Sequence, residues 1–521
     1  MTASFRVRWV VPSLIALTGL TVLTACAQRV PTTQEKAPAA GASAVVMFGS
    51  GPGRNMVNLV EKNLPTDWSV EEGNQKNVKW SAPLGTVSYG GPVVASGRVF
   101  VGTNNRNPRN PKVTGDRGVL MCFDEKTGKF LWQAVHDKLP NPDENDYPEQ
   151  GIASTPAVDG NRVYYVSNRC ELICADAQGF ANGNQGVQDE KYKGATDADI
   201  LWRLDMIKEF GVFPCFLANC SPLIVGDLVF VVTSNGVDTK GTVVAPKAPS
   251  ILAADKKTGK VKWTSSLPGD KILEGQWSNP AYAEVNGKGQ VIFPGGDGWL
   301  YGLDAANGDL IWKFDCNPKK AVYQPGGQGN RNYLVATPVV YDNKAYVGVG
   351  RNPDEGPGEG HFWCIDITKR GDVSPANDNF DPKAPENKNS ALVWHYGGLI
   401  TPPPERGRKY HFGRTVSTAA IHDGLIYLGE VDGFLHCLDA RTGKKYWEHD
   451  FVTGMWSSPV YMDGKVYIGV DDGSLCIFAA GKEKKLLNKI DMGGLVKTPV
   501  AASNGVLFVM TEKVLYAIGG K

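Results

Sequence analysis

Cysteine and histidine are the residue types here that most often carry redox, metal or nucleophilic chemistry, and the sequence has ten cysteines and seven histidines. It contains no Cys-x-x-Cys motif, no adjacent cysteines and no two histidines at the spacing of a metal-binding pair. Gly-x-Ser-x-Gly and His-Glu-x-x-His motifs are also absent. The sequence therefore predicts no catalytic residue and no metal centre.

Aromatic and cationic side chains are the other candidates, because exposed tryptophan and arginine residues often anchor ligands or partner proteins. Trp277 and Trp456 each stand three residues before a proline. Gly- and Pro-rich stretches carry a further group of basic residues, Arg331, Arg351, Arg406, Arg408 and Arg414. Whether these side chains form a site depends on the elements that position them.

A repeated phrase identifies those elements. The phrase begins with Asp, continues with Thr-Gly or Asn-Gly, and ends with Trp eight residues after the Asp. It occurs four times, at Asp124–Trp132, Asp255–Trp263, Asp304–Trp312 and Asp439–Trp447. The Thr-Gly or Asn-Gly pair is typical of a turn, and the flanking alternation of apolar and polar residues is typical of strands. Further upstream, Asp-Gly turns join two more apolar strands. One unit is therefore four antiparallel strands, which is one blade of a β-propeller.

Counting first strands predicts an all-β, eight-bladed propeller over residues 77–521. The blades begin near Pro92, Pro156, Pro222, Pro280, Pro338, Ala419, Pro459 and Pro499. The last unit stops before its Trp-bearing strand, and we expect the N-terminal strand at residues 77–80 to complete it and close the ring. The tryptophans that fill the wedges between blades are Trp80, Trp132, Trp202, Trp263, Trp312, Trp394 and Trp447, whereas blade 7 has Leu486 and Leu487 there.

The repeat also explains half of the cysteines. Cys122, Cys174, Cys364 and Cys437 stand two residues before a blade Asp, and Cys476 is expected at the same position. Other blades have Ala or Gly there, so this is a position for a small packed residue. The pairing of Cys170, Cys215, Cys220 and Cys316 stays open, with a Cys215–Cys220 disulfide as one alternative in an oxidising compartment.

Long insertions should gather on one face of the ring, where binding residues usually lie. Six of them join blades or link second and third strands: 104–118, 134–151, 236–249, 317–334, 351–361 and 397–414. Trp277 and Trp456 should lie there near the mouth of the central channel, either as binding anchors or as core that plugs the channel. Insertions 178–199 and 369–390 should fall on the opposite face. The oxygen-rich segment 176–190 is a candidate calcium loop, with a plain Asn/Gly loop as the alternative.

The first residues predict export. Arg6 and Arg8 precede an apolar run too short to span a membrane, so residues 1–25 are a secretory signal. Leu23-Thr-Ala-Cys26 resembles the bacterial lipobox, which implies lipid attachment to Cys26. The alternative is a plain signal peptide cut near Ala25, with no role for Cys26. Residues 26–46 are expected to be a flexible tether and residues 47–76 an N-terminal extension.

The overall composition excludes several classes of protein. With 42% hydrophobic and 21% charged residues, the chain is neither wholly disordered nor a multi-span membrane protein. The 55 basic and 54 acidic residues leave no basic footprint for nucleic acid.

The Asp-x-x-Thr-Gly-x-x-x-Trp phrase resembles the tryptophan-docking repeat of the PQQ-like β-propellers. That resemblance covers about residues 77–518 and implies one of two activities. Some members are quinoprotein alcohol dehydrogenases, whereas another is a lipoprotein component of the outer-membrane β-barrel assembly machinery, which binds no quinone. The resemblance to the dehydrogenases calls for adjacent cysteines and for calcium ligands, and the chain has no adjacent cysteines.

We therefore expect a monomeric, non-catalytic scaffold that binds envelope proteins and is held by its lipid at the periplasmic face of the outer membrane. An oxidoreductase that depends on PQQ and calcium is one alternative. A carbohydrate-binding propeller, with sugar rings stacked on Trp277 and Trp456, is the other.

Overall fold

A computed structural model of the chain describes residues 45–324, 326 and 329–519. The predicted signal segment, Cys26 and the tether up to residue 44 lie outside the described residues. Among the described residues, no helix has the length and apolarity needed to cross a membrane.

Eight sheets, each built on four antiparallel strands, confirm the predicted propeller. Blades 1 to 4 comprise Val93–Ala95, Arg98–Asn104, Gly118–Asp124 and Phe130–His136; Ala157–Asp159, Arg162–Val166, Glu171–Asp176 and Ile200–Asp205; Leu223–Val225, Leu228–Val232, Ile251–Asp255 and Val261–Ser265; and Ala281–Val285, Lys288–Pro294, Trp299–Asp304 and Leu310–Asp315. Blades 5 to 7 comprise Val339–Tyr341, Lys344–Gly350, Gly360–Asp366 and Leu392–Gly397; Ala420–His422, Leu425–Gly429, Phe434–Asp439 and Lys445–Asp450; and Val460–Met462, Lys465–Gly469, Ser474–Ala479 and Leu486–Asp491.

Blade 8 closes the ring with the N-terminal strand, as predicted. It comprises Ala501–Ser503, Val506–Met510, Val514–Ile518 and Val78–Pro83. The last two strands pair antiparallel, with Trp80 opposite Ala517. Among the elements that the structure describes, the remaining strands are Val57–Asn58 and Gly371–Asp372, the α-helices are Pro142–Asn145 and Met206–Phe210, and the 3-10 helices are Phe48–Ser50, Gly179–Asn182, Gly269–Lys271, Pro353–Glu355 and Pro385–Asn387.

Tryptophan side chains join each blade to the next. Six of them donate their indole N–H, over 3.0 to 3.2 Å, to a backbone carbonyl in the turn of the following blade: Trp80, Trp132, Trp202, Trp263, Trp394 and Trp447. Trp312 instead donates to the Gln290 side chain in its own blade, over 2.8 Å. The Gln290 amide then donates to the Ile367 carbonyl in blade 5, so a side-chain relay replaces the direct bond.

The residue opposite each of these tryptophans is small because the indole folds across it. Cys122, Cys174, Cys364 and Cys437 hold that position, as do Ala253, Gly302 and Ala517. A Cβ on Gly302 would lie 2.1 Å from the Trp312 indole nitrogen. The placement of Cys476 there is wrong: in blade 7 the facing pair is Ile477 and Asn488. Because Asn488 replaces the tryptophan, no indole folds across the facing residue, and the larger side chain of Ile477 fits there.

The N-terminal extension supplies the missing tryptophan of blade 7. Leu486 and Leu487, expected at the docking position, precede it and are exposed, whereas Asn488 occupies it and donates to the Thr66 carbonyl over 2.8 Å. Trp68 is buried in the apolar cluster between blades 7 and 8 and donates to the Met492 sulfur over 3.2 Å. The extension is therefore part of the propeller core.

Residues 45–58 run around the inside of the ring, along the first strands that line the central channel. Direct hydrogen bonds join them to the equivalent first-strand residue in seven blades: Val94, Val158, Tyr282, Val340, Ile421, Tyr461 and Ala502. Val45 and Val46 make two of these contacts, so the predicted tether boundary at residue 46 is wrong: these two residues belong to the propeller.

Arg54 connects this segment to blades 3 and 4. It is completely buried, and its guanidinium donates to the carbonyls of Pro280, Ser221 and Phe48 over 2.8, 2.8 and 3.0 Å. Burial lowers the pKa of Arg54 to about 10, which leaves it protonated at neutral pH. The segment therefore reaches every blade.

Candidate functional site

The long inter-blade and second-to-third-strand loops form one face of the ring, which we call the loop face. Its loops are joined across blades. The Tyr147 N–H donates to the Phe216 carbonyl over 2.6 Å, and the Asn352 amide donates to Glu274 over 2.8 Å. These bonds hold the face together as one surface.

A partial ring of small polar side chains lies beneath this face, just before the first strand of seven of the eight blades. The backbone N–H of Gly91, Thr155, Ser221 and Thr418 each donates to the corresponding side-chain oxygen in the next blade, over 2.6 to 3.0 Å. The Asn279 amide continues the ring to Thr337 over 2.8 Å. Sequence reasoning missed this ring, although a Ser, Thr or Asn before most blade prolines was its signal.

Trp277 is held on the loop face by neighbouring side chains. Its indole N–H donates to the Cys215 carbonyl over 2.9 Å, and its ring packs against Phe216 and Tyr333 at centroid distances of 6.3 and 5.7 Å. Tyr333 donates to Glu274 over 2.8 Å, and burial raises the pKa of that carboxyl. Trp277 is half-buried, and these contacts cover much of its ring.

Trp456 lies in the loop that enters blade 7, and it packs against Tyr89 from the loop that enters blade 1. The ring centroids are 6.4 Å apart, and both side chains are half-buried. Trp277 therefore contacts the loops that enter blades 3 and 5, whereas Trp456 contacts the loop that enters blade 1, two blades away along the ring.

Three of the predicted rim arginines are already paired within the protein. Arg331, Arg408 and Arg414 form ion pairs with Asp315, Glu430 and Asp432 over 2.7, 2.6 and 2.8 Å. Arg351 is more exposed and pairs with Glu355 over 3.1 Å. Arg406 is exposed and forms no ion pair with any residue that the structure describes. The face is therefore not a free cationic patch.

The histidines come together in ways that their spacing does not reveal. His361 and His395, on the third and fourth strands of blade 5, share a hydrogen bond of 2.9 Å. Burial lowers the pKa of His361 to about 4, so both rings stay neutral at pH 7. His436 is buried in blade 6 and contacts Glu430 over 2.5 Å and Tyr396 over 3.2 Å. These pairs cross-link strands and, through Arg408, hold the 397–414 loop.

The described cysteines are all buried and free, including Cys170, Cys215, Cys220 and Cys316. The Cys215–Cys220 disulfide left open by the sequence is not formed. Burial raises the pKa of the Cys220 thiol to about 12, so it is a poor nucleophile. Within the described part of the chain, no three His, Cys, Asp or Glu side chains meet in a possible metal site.

The candidate calcium segment is stabilised by its own amides. Asp176 accepts hydrogen bonds from the side chains of Asn161 and Asn182 and from the Gln178 N–H. The insertion at residues 178–199 starts on the face opposite the loop face and then runs along the outer edge of blade 1. There the backbone groups of Thr196 and Ala198 form hydrogen bonds with the backbone of Gln133. The 369–390 insertion covers the edge of blade 4 through Gly371–Asp372. Both insertions therefore protect sheet edges.

Apolar side chains project from the loop face. Five of its loops each expose one: Tyr147, Val244, Val322, Leu399 and Val452. Val452 is 89% exposed and has a φ of +61°, a conformation that β-branched residues rarely adopt. Backbone strain of this kind often accompanies functional sites.

The eight-bladed ring with docking tryptophans defines a propeller of the PQQ-like repeat class. Residues 66–236, 116–373 and 383–486 match the family described as outer membrane protein assembly factor BamB. These matches span most of the chain, and the chain belongs to this family.

Individual relatives divide between two activities. The outer membrane protein assembly factor BamB of Moranella endobia is 21% identical over 418 residues, 76% of this chain and 88% of that protein. The quinohemoprotein alcohol dehydrogenase ADH IIB of Pseudomonas putida is 25% identical over 410 residues, 68% of this chain and 57% of that protein. The chain spans only 38% of the polyvinylalcohol dehydrogenase of Sphingopyxis sp. and 39% of the quinoprotein alcohol dehydrogenase PedH of Pseudomonas putida.

Solved structures show the same fold. BamB from Moraxella catarrhalis aligns with a TM-score of 0.51 at 14% identity, covering 85% of this chain and 97% of that one. The quinohemoprotein alcohol dehydrogenase ADHIIG from Pseudomonas putida HK5 aligns with a TM-score of 0.56 at 14% identity, covering 92% and 81%. At this identity the likeness concerns the fold alone.

Proposed function

We propose that the protein is a non-catalytic, monomeric scaffold that binds other envelope proteins through its loop face. The observation that carries this proposal is the set of five exposed apolar side chains, one from each of five loops. Exposed apolar groups among polar neighbours are typical of protein-binding surfaces. The neighbouring ion pairs of Arg331, Arg408 and Arg414 fix the loops in advance, which lowers the entropic cost of binding.

We further propose that Cys26 carries a lipid and holds the propeller at the periplasmic face of the outer membrane. The relatives named as outer membrane protein assembly factors support this location and suggest outer-membrane assembly proteins as the partners.

Photo-cross-linking in the native bacterium tests the scaffold. A photoreactive amino acid at Val452 or Val244 should yield specific cross-links to outer-membrane assembly proteins. The matched control is Leu310, which is apolar and 47% exposed, close to the 48% of Val244, but lies at the opposite end of its blade. Equal yields from Leu310, or none from either loop position, would contradict a loop-face partner.

An oxidoreductase that depends on PQQ and calcium is the second candidate, favoured by the dehydrogenases among the relatives. The residues present fit that group poorly: the chain lacks adjacent cysteines, and its described cysteines lie singly and buried. Titration with PQQ, with and without calcium, checks this through the melting temperature, which a bound ligand raises. Saturable, calcium-dependent binding would replace the scaffold proposal with the dehydrogenase.

A further inference from the structure

Tyr89 and Trp456 form an aromatic pair at the loop-face mouth of the channel, each four residues before the first strand of its blade. Their rings are inclined at 56°, so they enclose a corner rather than stack face to face. The negative faces of aromatic rings in such an arrangement attract cations. We call this pair the aromatic mouth.

Three carboxylates, each from a different blade, act electrostatically on the aromatic mouth. Asp471 of blade 7 accepts the backbone N–H of Trp456. Burial raises the pKa of Tyr89, and the charges of Asp354, Glu512 and Asp471 raise it further. Asp354 forms no ion pair with any described residue, in contrast to the paired carboxylates beside Arg331, Arg408 and Arg414.

One cation already lies at the mouth. The Lys497 ammonium is 5.3 Å from the centroid of the Tyr89 ring, and it opposes the effect of burial on the pKa of Asp471. Lys513 forms an ion pair with Glu512 over 3.8 Å, so two ammoniums stand against the three carboxylates and one negative charge remains. The neighbouring Ser88 and Thr498 are buried, and within the described chain their hydroxyls have no hydrogen-bond partner.

We propose that the aromatic mouth binds the cationic side chain of a lysine or arginine in an extended segment of the partner protein, and that Lys497 is an internal competitor for this position. The inference rests on the proposed scaffold function and names the chemistry of its partner. A further ammonium or guanidinium would balance the remaining negative charge and lie against the aromatic rings, where a partly desolvated cation is bound more strongly than in water.

Fluorescence anisotropy with the whole protein tests the inference. The probe is a fluorescein-labelled peptide of about ten residues in which lysine and serine alternate, compared with the same peptide carrying glutamine for lysine. The double variant Asp471→Asn, Glu512→Gln should weaken binding of the lysine peptide about tenfold, because two of the three attracting charges are lost. Lys497→Met should tighten binding about threefold, because the internal competitor is removed.

Lys313→Met is the matched control, since the Lys313 ammonium, on the outer strand of blade 4, lies 4.5 Å from the centroid of the Trp299 ring on the third strand. It should leave binding unchanged. Melting temperatures of all variants establish that each is folded. The acidic-to-amide double variant should weaken peptide binding, whereas Lys497→Met should tighten it. A general loss of structure cannot produce these opposite changes in affinity.

Equal affinity for the lysine and glutamine peptides, or weaker binding in Lys497→Met, would overturn the inference. The inference would also be overturned if free spermidine displaced the lysine peptide at the same concentration of amine, because the mouth would then be a polyamine site. The scaffold proposal has its own test. Cross-links from Val452 that persist in the double variant would retain the scaffold and refute the cationic contact. The absence of these cross-links in the wild type would refute the scaffold itself.

Discussion

Replacement of Arg54 by methionine should severely destabilise the propeller without touching the loop face. The side chain has no accessible surface, and its three donated hydrogen bonds join the channel segment to the carbonyls of Phe48, Ser221 and Pro280. Methionine fills a similar volume but donates nothing. The change therefore isolates the hydrogen bonds from the packing.

The magnitude follows from those three bonds. A hydrogen bond from a charged donor contributes about 1.5 to 3 kcal/mol, and relief from burying the guanidinium charge offsets part of the sum. We expect Arg54→Met to lower the free energy of unfolding by about 3 to 5 kcal/mol. Asn55→Ala is the matched control: it loses two neutral bonds to the backbone of Ile421, at 2.9 Å each, and should cost about 1 to 2 kcal/mol.

Guanidinium chloride unfolding followed by tryptophan fluorescence measures both changes, after reversibility has been established by refolding. Arg54→Lys should fall between the wild type and Arg54→Met, since it keeps the charge but cannot reach three carbonyls. A loss below about 1 kcal/mol in Arg54→Met would refute the account, because unpaired buried carbonyls cost at least that much. It would mean that the channel segment contributes little to ring stability.

Three further predictions concern other parts of the ring. Trp68→Ala should lower the free energy of unfolding by about 3 to 5 kcal/mol because it empties the wedge between blades 7 and 8; a loss under about 1 kcal/mol in the same denaturation assay would remove Trp68 from the core. Val452→Asn should raise stability by about 1 kcal/mol, since asparagine tolerates a positive φ, and should weaken partner binding; lower stability would show that the valine conformation is not strained. Burial raises the pKa of Asp297 from 3.8 to about 6, so the native state binds this proton more tightly than the unfolded state does, and the contribution of Asp297 to wild-type stability should rise as the pH falls from about 6 to 4. Asp297→Asn should reduce that rise by about 2 to 3 kcal/mol, and an unchanged pH profile would contradict the buried carboxylate.

The repeat made the ring predictable because its information is local. The Thr-Gly and Asp-Gly turns and the strand alternation define each blade within the residues that form it, and the incomplete last unit predicts closure by the strand that contains Trp80. The error at Cys476 arose within the same repeat. A bulge and the absence of tryptophan shift which residues face each other, and only the pairing of Ile477 with Asn488 reveals it.

The candidate site was less predictable because its properties depend on partners far away in sequence. The sequence located the basic residues of the rim but not the carboxylates that neutralise Arg408 and Arg414, which follow the second strand of blade 6. It singled out Trp277 and Trp456 together, whereas the structure surrounds Trp277 with aromatic neighbours and leaves Trp456 beside Tyr89 and Asp471.

By itself, the sequence determined the number of blades, the docking tryptophans and the face on which the long loops gather, because turn chemistry and strand periodicity act over a few residues. The tertiary structure alone decided the course of residues 45–58 inside the channel and the use of Trp68 in blade 7. The channel segment has no periodic pattern, and its partners are mainly backbone groups, which every residue type carries alike. Such contacts leave little trace in side-chain identity, so they become visible only when the blades are arranged in a ring.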